Sequence, residues 1–176
     1  MPSEAVAGPP SVLLLTGVPG TGKTSVAIQI GCVLEAHGRT YALVDLDWLA
    51  WFDAGPAQSP SAVHTMLERN LRSVLTNYTD LPLDFYVLTR AIRTQGELDS
   101  VRAVLGPSTA VVELVLPFDE IARRLGDDVT AARADDLREV EEWLSDPNRP
   151  QPDHVVANDQ PIDDVAAQVL VRLGWP

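Results

Sequence analysis

Residues 17–24 read Gly-Val-Pro-Gly-Thr-Gly-Lys-Thr, a full match to the phosphate-binding pattern G-x-x-x-x-G-K-[ST]. In this pattern the glycines let backbone N–H groups surround a phosphate, and the lysine reaches the β- and γ-phosphates. The hydroxyl after the lysine ligates Mg²⁺. Lys23 is also the one lysine among the 13 Lys and Arg residues, so this position keeps an ammonium in a chain that otherwise uses Arg. The motif therefore predicts a site for ATP or GTP with Mg²⁺ at Thr24. The predicted nucleotide contacts are Gly17, Pro19, Gly20, Thr21, Gly22, Lys23, Thr24 and Ser25.

The residues on either side of this loop predict the strand and helix that such a loop needs. Residues 12–15 form a short apolar run between Pro9-Pro10 and Gly17, which is typical of a buried parallel strand. Apolar residues downstream predict a mostly buried helix that ends near His37-Gly38. They are Val26, Ile28, Ile30, Val33 and Leu34. This context disfavours the alternative of a glycine-rich turn without a ligand.

A second predicted strand, residues 40–44, is followed by two carboxylates at Asp45 and Asp47. Spacing by two places both on one face of the strand end, at the carboxyl edge where open α/β sheets bind ligands. One carboxylate could help to hold Mg²⁺ through water, while the other accepts a proton from a hydroxyl that attacks the γ-phosphate. The alternatives are a solvated pair or an Asp that caps the next helix.

Length, charge and composition narrow the class of protein. A chain of 176 residues fits one domain, which we place at residues 11–176 after a proline-rich segment, 1–10, predicted to be disordered. A net charge of -12 argues against a nucleic-acid surface and favours a small substrate. No membrane-spanning run or signal peptide is seen, so we predict a cytoplasmic protein. Cys32, the single cysteine, is predicted to be buried and inert.

The order of phosphate-binding loop, helix and Asp-x-Asp strand resembles the P-loop small-metabolite kinases, including shikimate, gluconate and adenylylsulfate kinases. Residues 85–89, followed by Arg90, Arg93 and Arg102, are similar to the third strand and basic helix that grip the substrate in gluconate-kinase-like enzymes. The resemblance extends from Val12 to Trp175, and the P-loop is its highly specific part.

Two further segments are similar to the nucleotide side of these kinases. Residues 111–125 resemble a fourth strand and an arginine helix that enters a mobile lid, which we place at about 124–150. Residues 153–161 resemble the last strand and a loop that lies against the adenine, with a helix over 162–173. In that loop the resemblance implies nucleotide contacts at Asn158, Asp159, Gln160 and Pro161.

The resemblance also implies roles for single residues. Asp47 would be the catalytic base that contacts the substrate, and Asp45 the carboxylate near Mg²⁺. Arg123 or Arg124 would pack on the adenine. Arg133 and Arg138 would be lid arginines that neutralise charge on the transferred phosphoryl group. A solvated helix face with Asp or Glu at helical spacing is the alternative for each arginine, and for Arg138 the two are evenly balanced.

Some residues depart from this pattern or leave their roles open. Asp127-Asp128 stand where related lids often place arginine, and the third strand ends in Thr89-Arg90 without a Walker B acid. Trp48 and Trp51 follow the Asp pair and could stack on a ring or sugar face of the acceptor, or else be core residues or hydrophobic cover for a helix. A helix over 61–79 is predicted beside them, where related kinases build the acceptor pocket.

These patterns predict a three-layer α/β P-loop fold with a parallel five-stranded sheet, helices on both faces and a small lid. The leading functional prediction is a Mg²⁺-ATP-dependent kinase that phosphorylates a hydroxyl of a small metabolite or antibiotic. The alternatives are a regulatory switch ATPase acting on a protein partner and a nucleotide or nucleoside kinase. Neither the acceptor nor the oligomeric state follows from the sequence, and ATP rather than GTP is implied by the resemblance alone.

Overall fold

Five parallel strands form the central sheet, and each strand runs into a helix or loop at the same edge. The structure is a computed structural model that describes residues 9–57, 59–127 and 133–176, without the side chains of residues 57, 127 and 133–136. Most of the predicted disordered segment, residues 1–8, lies outside this part. The strands are β1 (Ser11–Thr16), β2 (Tyr41–Asp45), β3 (Phe85–Thr89), β4 (Ala110–Val115) and β5 (His154–Ala157). The helices are α1 (Lys23–Ala36), α2 (Leu46–Leu49), α3 (Pro60–Tyr78), α4 (Gln95–Leu105), α5 (Phe118–Asp127), α6 (Arg133–Ser145) and α7 (Ile162–Leu173).

The strand order is β2-β3-β1-β4-β5, so the chain moves to both sides of β1. Helices cover both faces, and β1 shows why: Leu13 and Leu15 pack with α1 and α7, whereas Val12 and Leu14 pack with α2, α3 and α4. This alternation follows from the two-residue period of a strand. Because both faces are covered, the strands are nearly continuous apolar runs. The structure therefore confirms the predicted three-layer α/β fold and its five-stranded parallel sheet.

Helix α1 is only half buried, which corrects two expectations. Val26, Ile30 and Leu34 are fully buried against the sheet. Ile28, predicted to be buried, is 53% exposed, and Cys32 is exposed as well. Residues 28 and 32 are four apart, so they share one helix face, and that face turns away from the sheet toward solvent.

A third, smaller apolar cluster lies at the carboxyl edge of the sheet. Val18 of the P-loop packs there with Ile121 and Leu125 of α5 and with Val140 and Trp143 of α6. This cluster ties α5 and α6 to the loop that begins the site. Among the described residues, no helix is long and apolar enough to cross a membrane.

Candidate functional site

The conformation of the P-loop depends on glycines at positions 17 and 22. Gly22 has φ +83, and a Cβ there would lie 2.5 Å from the amide nitrogen of Asn158. Gly17 has φ +136, and its Cβ would lie 2.4 Å from the carbonyl oxygen of Leu114. Both positions therefore disfavour a side chain, Gly17 through contact with the backbone of β4 and Gly22 through its positive φ and its contact with Asn158. The result is a pocket of 400 Å³ at the start of α1. Its lining includes the predicted contacts Pro19, Gly20, Gly22, Lys23, Thr24 and Ser25.

Lys23 is folded back over the loop and is 8% exposed. Its Nζ donates to the carbonyl oxygens of Gly17, at 3.0 Å, and Val18, at 3.2 Å. Burial lowers the pKa of this ammonium, while the negative charges of Asp47 and Asp45 oppose that change. A phosphate oxygen would compensate this cation better than two neutral carbonyls do, because a charged acceptor makes the stronger hydrogen bond.

Asn158, which follows β5, and Arg124 of α5 hold the P-loop in place through hydrogen bonds. The buried Asn158 side chain donates to the carbonyl oxygen of Thr21 at 2.7 Å, and Arg124 Nη2 donates to the carbonyl oxygen of Asn158 at 3.0 Å. Arg124 also lines the P-loop pocket. Both arginines pair with Glu120, but the side chain of Arg123 is 61% exposed, against 30% for Arg124. Of the two candidate adenine arginines, the structure places Arg124 next to the site.

Thr24 and Asp45, the two predicted Mg²⁺ ligands, are hydrogen bonded to each other. The Thr24 hydroxyl donates to Asp45 Oδ2 at 3.0 Å, and Asp45 Oδ1 accepts from the Asp47 backbone N–H at 3.0 Å. Asp45 therefore also caps α2, the alternative that the sequence left open. Among the described residues no group of three or more His, Cys, Asp or Glu could hold a metal by itself. A hydroxyl and one carboxylate nevertheless fit Mg²⁺, which keeps several waters and takes its remaining ligands from substrate phosphates.

Asp47 lies between two spaces. It lines the P-loop pocket together with Lys23, and it lines a neighbouring hollow of 340 Å³ together with Trp51 and Arg90. Its Oδ1 accepts from Arg90 Nη1 and its Oδ2 from the Ala91 N–H, both at 3.3 Å. Burial raises the pKa of Asp47, and the positive charges of Lys23 and Arg90 partly offset that rise. The carboxylate is thus a stronger base than a solvated Asp.

Glu97 is the functional candidate that the sequence did not reveal. The side chain of Arg90 is 9% exposed, and its Nε and Nη2 both donate to Glu97 Oε1, at 3.1 and 2.6 Å. The other oxygen of Glu97 accepts from the Arg93 backbone N–H at 2.9 Å. Glu97 is in the first turn of α4. The six residues between Arg90 and Glu97 cross from a loop into that helix, so neither strand nor helix periodicity connects them.

A larger cleft of 680 Å³ opens beyond Arg90, lined mainly by α3 and by the loop that leads into α4. It shares Val63 and Arg90 with the hollow at Asp47. Trp48 and Trp51 stand at this end of the sheet with 69% and 73% of their surface exposed. Their rings stack with centroids 5.0 Å apart and planes 15° apart. They are therefore not the core residues that one reading of the sequence allowed.

The other predicted site residues lie at the rim of the site or away from it. Arg93 lines the cleft. Arg102 instead pairs with Asp153 at the amino edge of the sheet, the edge opposite to the P-loop. Gln160 faces Gln168 of α7, at 3.4 Å, and Asp159 is exposed. Pro161 immediately precedes α7. Arg138 is exposed on α6, whereas the side chains of Arg133 and Asp127, and residue 128, lie outside the described part.

Comparison with known proteins places the fold. No protein-family model matches the chain, and no curated protein matches it in sequence. Solved structures do match. A Mycobacterium tuberculosis APS kinase in complex with AMPPNP and APS has a TM-score of 0.67 at 24% identity, over 94% of this chain and 99% of that one. A shikimate kinase from Bacteroides thetaiotaomicron has a TM-score of 0.68 at 15% identity, over 93% and 98%. A gluconokinase from Sinorhizobium meliloti 1021 has a TM-score of 0.62 at 20% identity, over 94% and 92%. The chain shares the fold of P-loop small-metabolite kinases, which confirms the resemblance at the level of structure.

Proposed function

We propose that this protein transfers the γ-phosphoryl group of ATP to a hydroxyl of a small molecule, with Mg²⁺. One observation supports this above all: Asp47 faces both the P-loop pocket and the adjoining hollow. A base for phosphoryl transfer must reach the acceptor hydroxyl while that hydroxyl reaches the terminal phosphate. No other described carboxylate lines both spaces. The APS kinase with AMPPNP shares the fold and motivates ATP as the donor.

In this proposal Asp47 accepts the proton of the acceptor hydroxyl as the oxygen attacks the γ-phosphorus. A new P–O bond forms to the acceptor, and the bond between the γ-phosphorus and the β,γ-bridging oxygen breaks, so that ADP leaves. Lys23 and the N-terminus of α1 stabilise the charge on the phosphates. Thr24 and Asp45 would hold Mg²⁺, which when bound neutralises the β- and γ-phosphate oxygens.

The nucleotide-base contacts, the lid arginines and the cellular location complete the proposal. Arg124 and the 158–161 loop lie on the side of the P-loop where the nucleotide base would extend, and Arg124 is the better candidate of the arginine pair. The lid over residues 124–150, with Arg133 and Arg138 stabilising the transferred group, and a cytoplasmic location remain predictions.

The test is Mg²⁺-dependent ADP release from ATP across gluconate, shikimate, adenylylsulfate, nucleosides and hydroxylated antibiotics. We expect at least one acceptor to accelerate release, and we expect Lys23→Ala to abolish that acceleration. Asp47→Asn should lower kcat at least ~10³-fold, because the hydroxyl loses its base, while the Kd for ATP stays within about threefold.

Two outcomes would contradict the proposal. Tight ATP binding without acceleration by any acceptor would favour the regulatory switch ATPase, and the search would move to protein partners. An Asp47→Asn variant that keeps its turnover would remove Asp47 from the role of base. Acceleration confined to nucleosides or nucleotides would instead select the nucleoside or nucleotide kinase among the alternatives.

A further inference from the structure

We propose that the acceptor is an uncharged or cationic alcohol built on a ring, and not a carboxylic or phosphoric acid. This inference rests on the proposed function and names the substrate class of the same cleft. It sets this chain apart from neighbours of the same fold, because gluconate, shikimate and APS are anions. Two independent observations support it: the charges around the cleft and the exposed tryptophan pair.

Arg90 is the most buried cation of the cleft, and both sides of its guanidinium are already in use. Nε and Nη2 donate to Glu97, and Nη1 donates to Asp47. An incoming carboxylate binds arginine best through two parallel N–H groups. Each such edge of Arg90 already contains a nitrogen that donates to a protein carboxylate. An acid would therefore have to displace Glu97 or the proposed base itself.

The other basic groups at the cleft are also matched by acids. Arg93 lies 3.7 Å from Glu142 and stacks over the ring of Trp143, and His64 lies 3.0 Å from Glu68. The two guanidinium groups thus face three carboxylates, those of Asp47, Glu97 and Glu142, and the fourth, Glu68, faces His64. The charged residues that line the cleft and the adjoining hollow, Arg90, Arg93, Asp47 and Glu97, sum to zero with His64 neutral, within a chain of net charge -12. A site whose lining has no surplus positive charge does not attract anions electrostatically, and it accepts neutral or cationic ligands.

The tryptophan pair supplies the surface that a ring would cover. Trp51 borders the hollow that contains Asp47, and Trp48 stacks on Trp51. Few large aromatics are as exposed as these two, and a flat apolar plate beside a pocket indicates a ligand with a flat face. A ring on Trp51 would extend a hydroxyl toward Asp47, and a larger body would continue past Val63 into the 680 Å³ cleft.

The first experiment compares acceptors that differ by one charge or one ring. Phenyl β-glucoside, phenyl β-glucuronide and methyl β-glucoside form one set, shikimate and its methyl ester a second, and adenosine and AMP a third. The readout is kcat/KM for Mg²⁺-ATP-dependent ADP release. On any scaffold that is accepted, we expect the uncharged member to exceed its acid by about tenfold or more. We also expect the phenyl glucoside to exceed the methyl glucoside.

Two variants test the two observations separately. Trp51→Ala should raise the KM of the best ring acceptor by about tenfold, with kcat changed less than threefold and Trp51→Phe restoring the KM. Glu142→Gln releases Arg93, so it should improve kcat/KM for the acids by about three- to tenfold and leave their neutral partners unchanged. Glu141→Gln, on the adjacent exposed position, is the matched control.

The outcomes separate this inference from the proposed function. If acids match or exceed their neutral partners, or if Trp51→Ala leaves every acceptor KM unchanged, the chain is a kinase but this substrate class is wrong. An unchanged KM would also leave the tryptophan pair as a contact for a protein. If no alcohol or acid accelerates ADP release, the proposed function fails and this inference fails with it.

Discussion

At the carboxyl edge of the sheet, backbone groups form the nucleotide side of the site, whereas side chains form the acceptor side. On the nucleotide side, backbone groups of one continuous loop shape the pocket, and Lys23 and Asn158 are held by main-chain carbonyls. On the acceptor side, side chains from three separate segments define the space. There Asp47, Arg90 and Glu97 are linked by charge-assisted hydrogen bonds. Asp47 is where the two sides meet.

This difference determines how each side should respond to substitution. The glycines of the P-loop have close neighbours at both Gly17 and Gly22, so an added methyl group must displace backbone or a buried side chain. A network of side chains can lose one member and still retain part of its geometry, so its losses should be graded and should depend on pH. The comparison therefore predicts abrupt effects at the P-loop and moderate ones at the acceptor cleft.

The largest effect on ATP binding is expected for Gly22→Ala on the nucleotide side. Its Cβ would lie 2.5 Å from Asn158 at a backbone φ of +83, so both strain and contact oppose the native loop. These terms together cost about 3 kcal/mol, so we expect the Kd for ATP, measured by calorimetry, to rise about a hundredfold or more.

Gly38→Ala is the control for this prediction. Gly38 also has a positive φ, +66, but nothing lies within 4 Å of its Cβ position. We expect it to lose about 1 kcal/mol of unfolding free energy with an unchanged Kd for ATP. If Gly22→Ala behaved like Gly38→Ala, the nucleotide side would be no more rigid than an ordinary helix end.

A moderate effect is expected when Arg90 is removed from the acceptor side. The double variant Arg90→Gln/Glu97→Gln avoids leaving one buried charge unpaired. Because the positive charge of Arg90 lowers the pKa of Asp47, its loss should raise that pKa further. Asp47 is active as the carboxylate, so the acid limb of the kcat/KM profile should move to higher pH. We expect about a tenfold loss of kcat/KM at pH 7 with an unchanged Kd for ATP.

The single variant Glu97→Gln separates charge from positioning in that network. Its amide oxygen can still accept from Arg90, and Arg90 keeps its charge, so the acid limb should stay at the wild-type pH while kcat falls a few-fold. An acid limb that moved equally in both variants would mean that Arg90 does not act on Asp47 through its charge.

The same difference explains how far the sequence could predict the structure. The P-loop is contiguous, so its residue types specify the pocket, and the apolar runs at the strands specify the sheet. The contact between Thr24 and Asp45 could be anticipated because the P-loop after β1 and the end of β2 lie at the same carboxyl edge of the parallel sheet. The hydrogen bonds between Arg90 and Glu97 could not be predicted in this way, because they depend on side-chain rotamers in a loop whose sequence has no periodic pattern. The exposure of Ile28 was missed since a helix beside a sheet buries one face, and composition does not show which.

The smallest effect is expected at the opposite edge of the sheet, where an ion pair of similar type has no site to serve. Asp153 accepts from Arg102 and from the Val111 backbone N–H, far from the P-loop. Burial raises the pKa of Asp153, but the hydrogen bonds from Arg102 and Val111 outweigh burial and hold the pKa below its usual value. The stability that this carboxylate contributes is therefore present above pH ~4 and is lost as the pH falls through its folded-state pKa.

Asp153→Asn should lower the unfolding free energy at pH 7 by at most about 1 kcal/mol, because both side chains are partly exposed and screened. Denaturant melts at pH 7 and pH 3 should show that the difference from wild type shrinks in acid, while kcat/KM at pH 7 stays unchanged. A loss of activity comparable to that of the Arg90 variant would mean that ion pairs matter here through the stability of the sheet and not through their place beside Asp47.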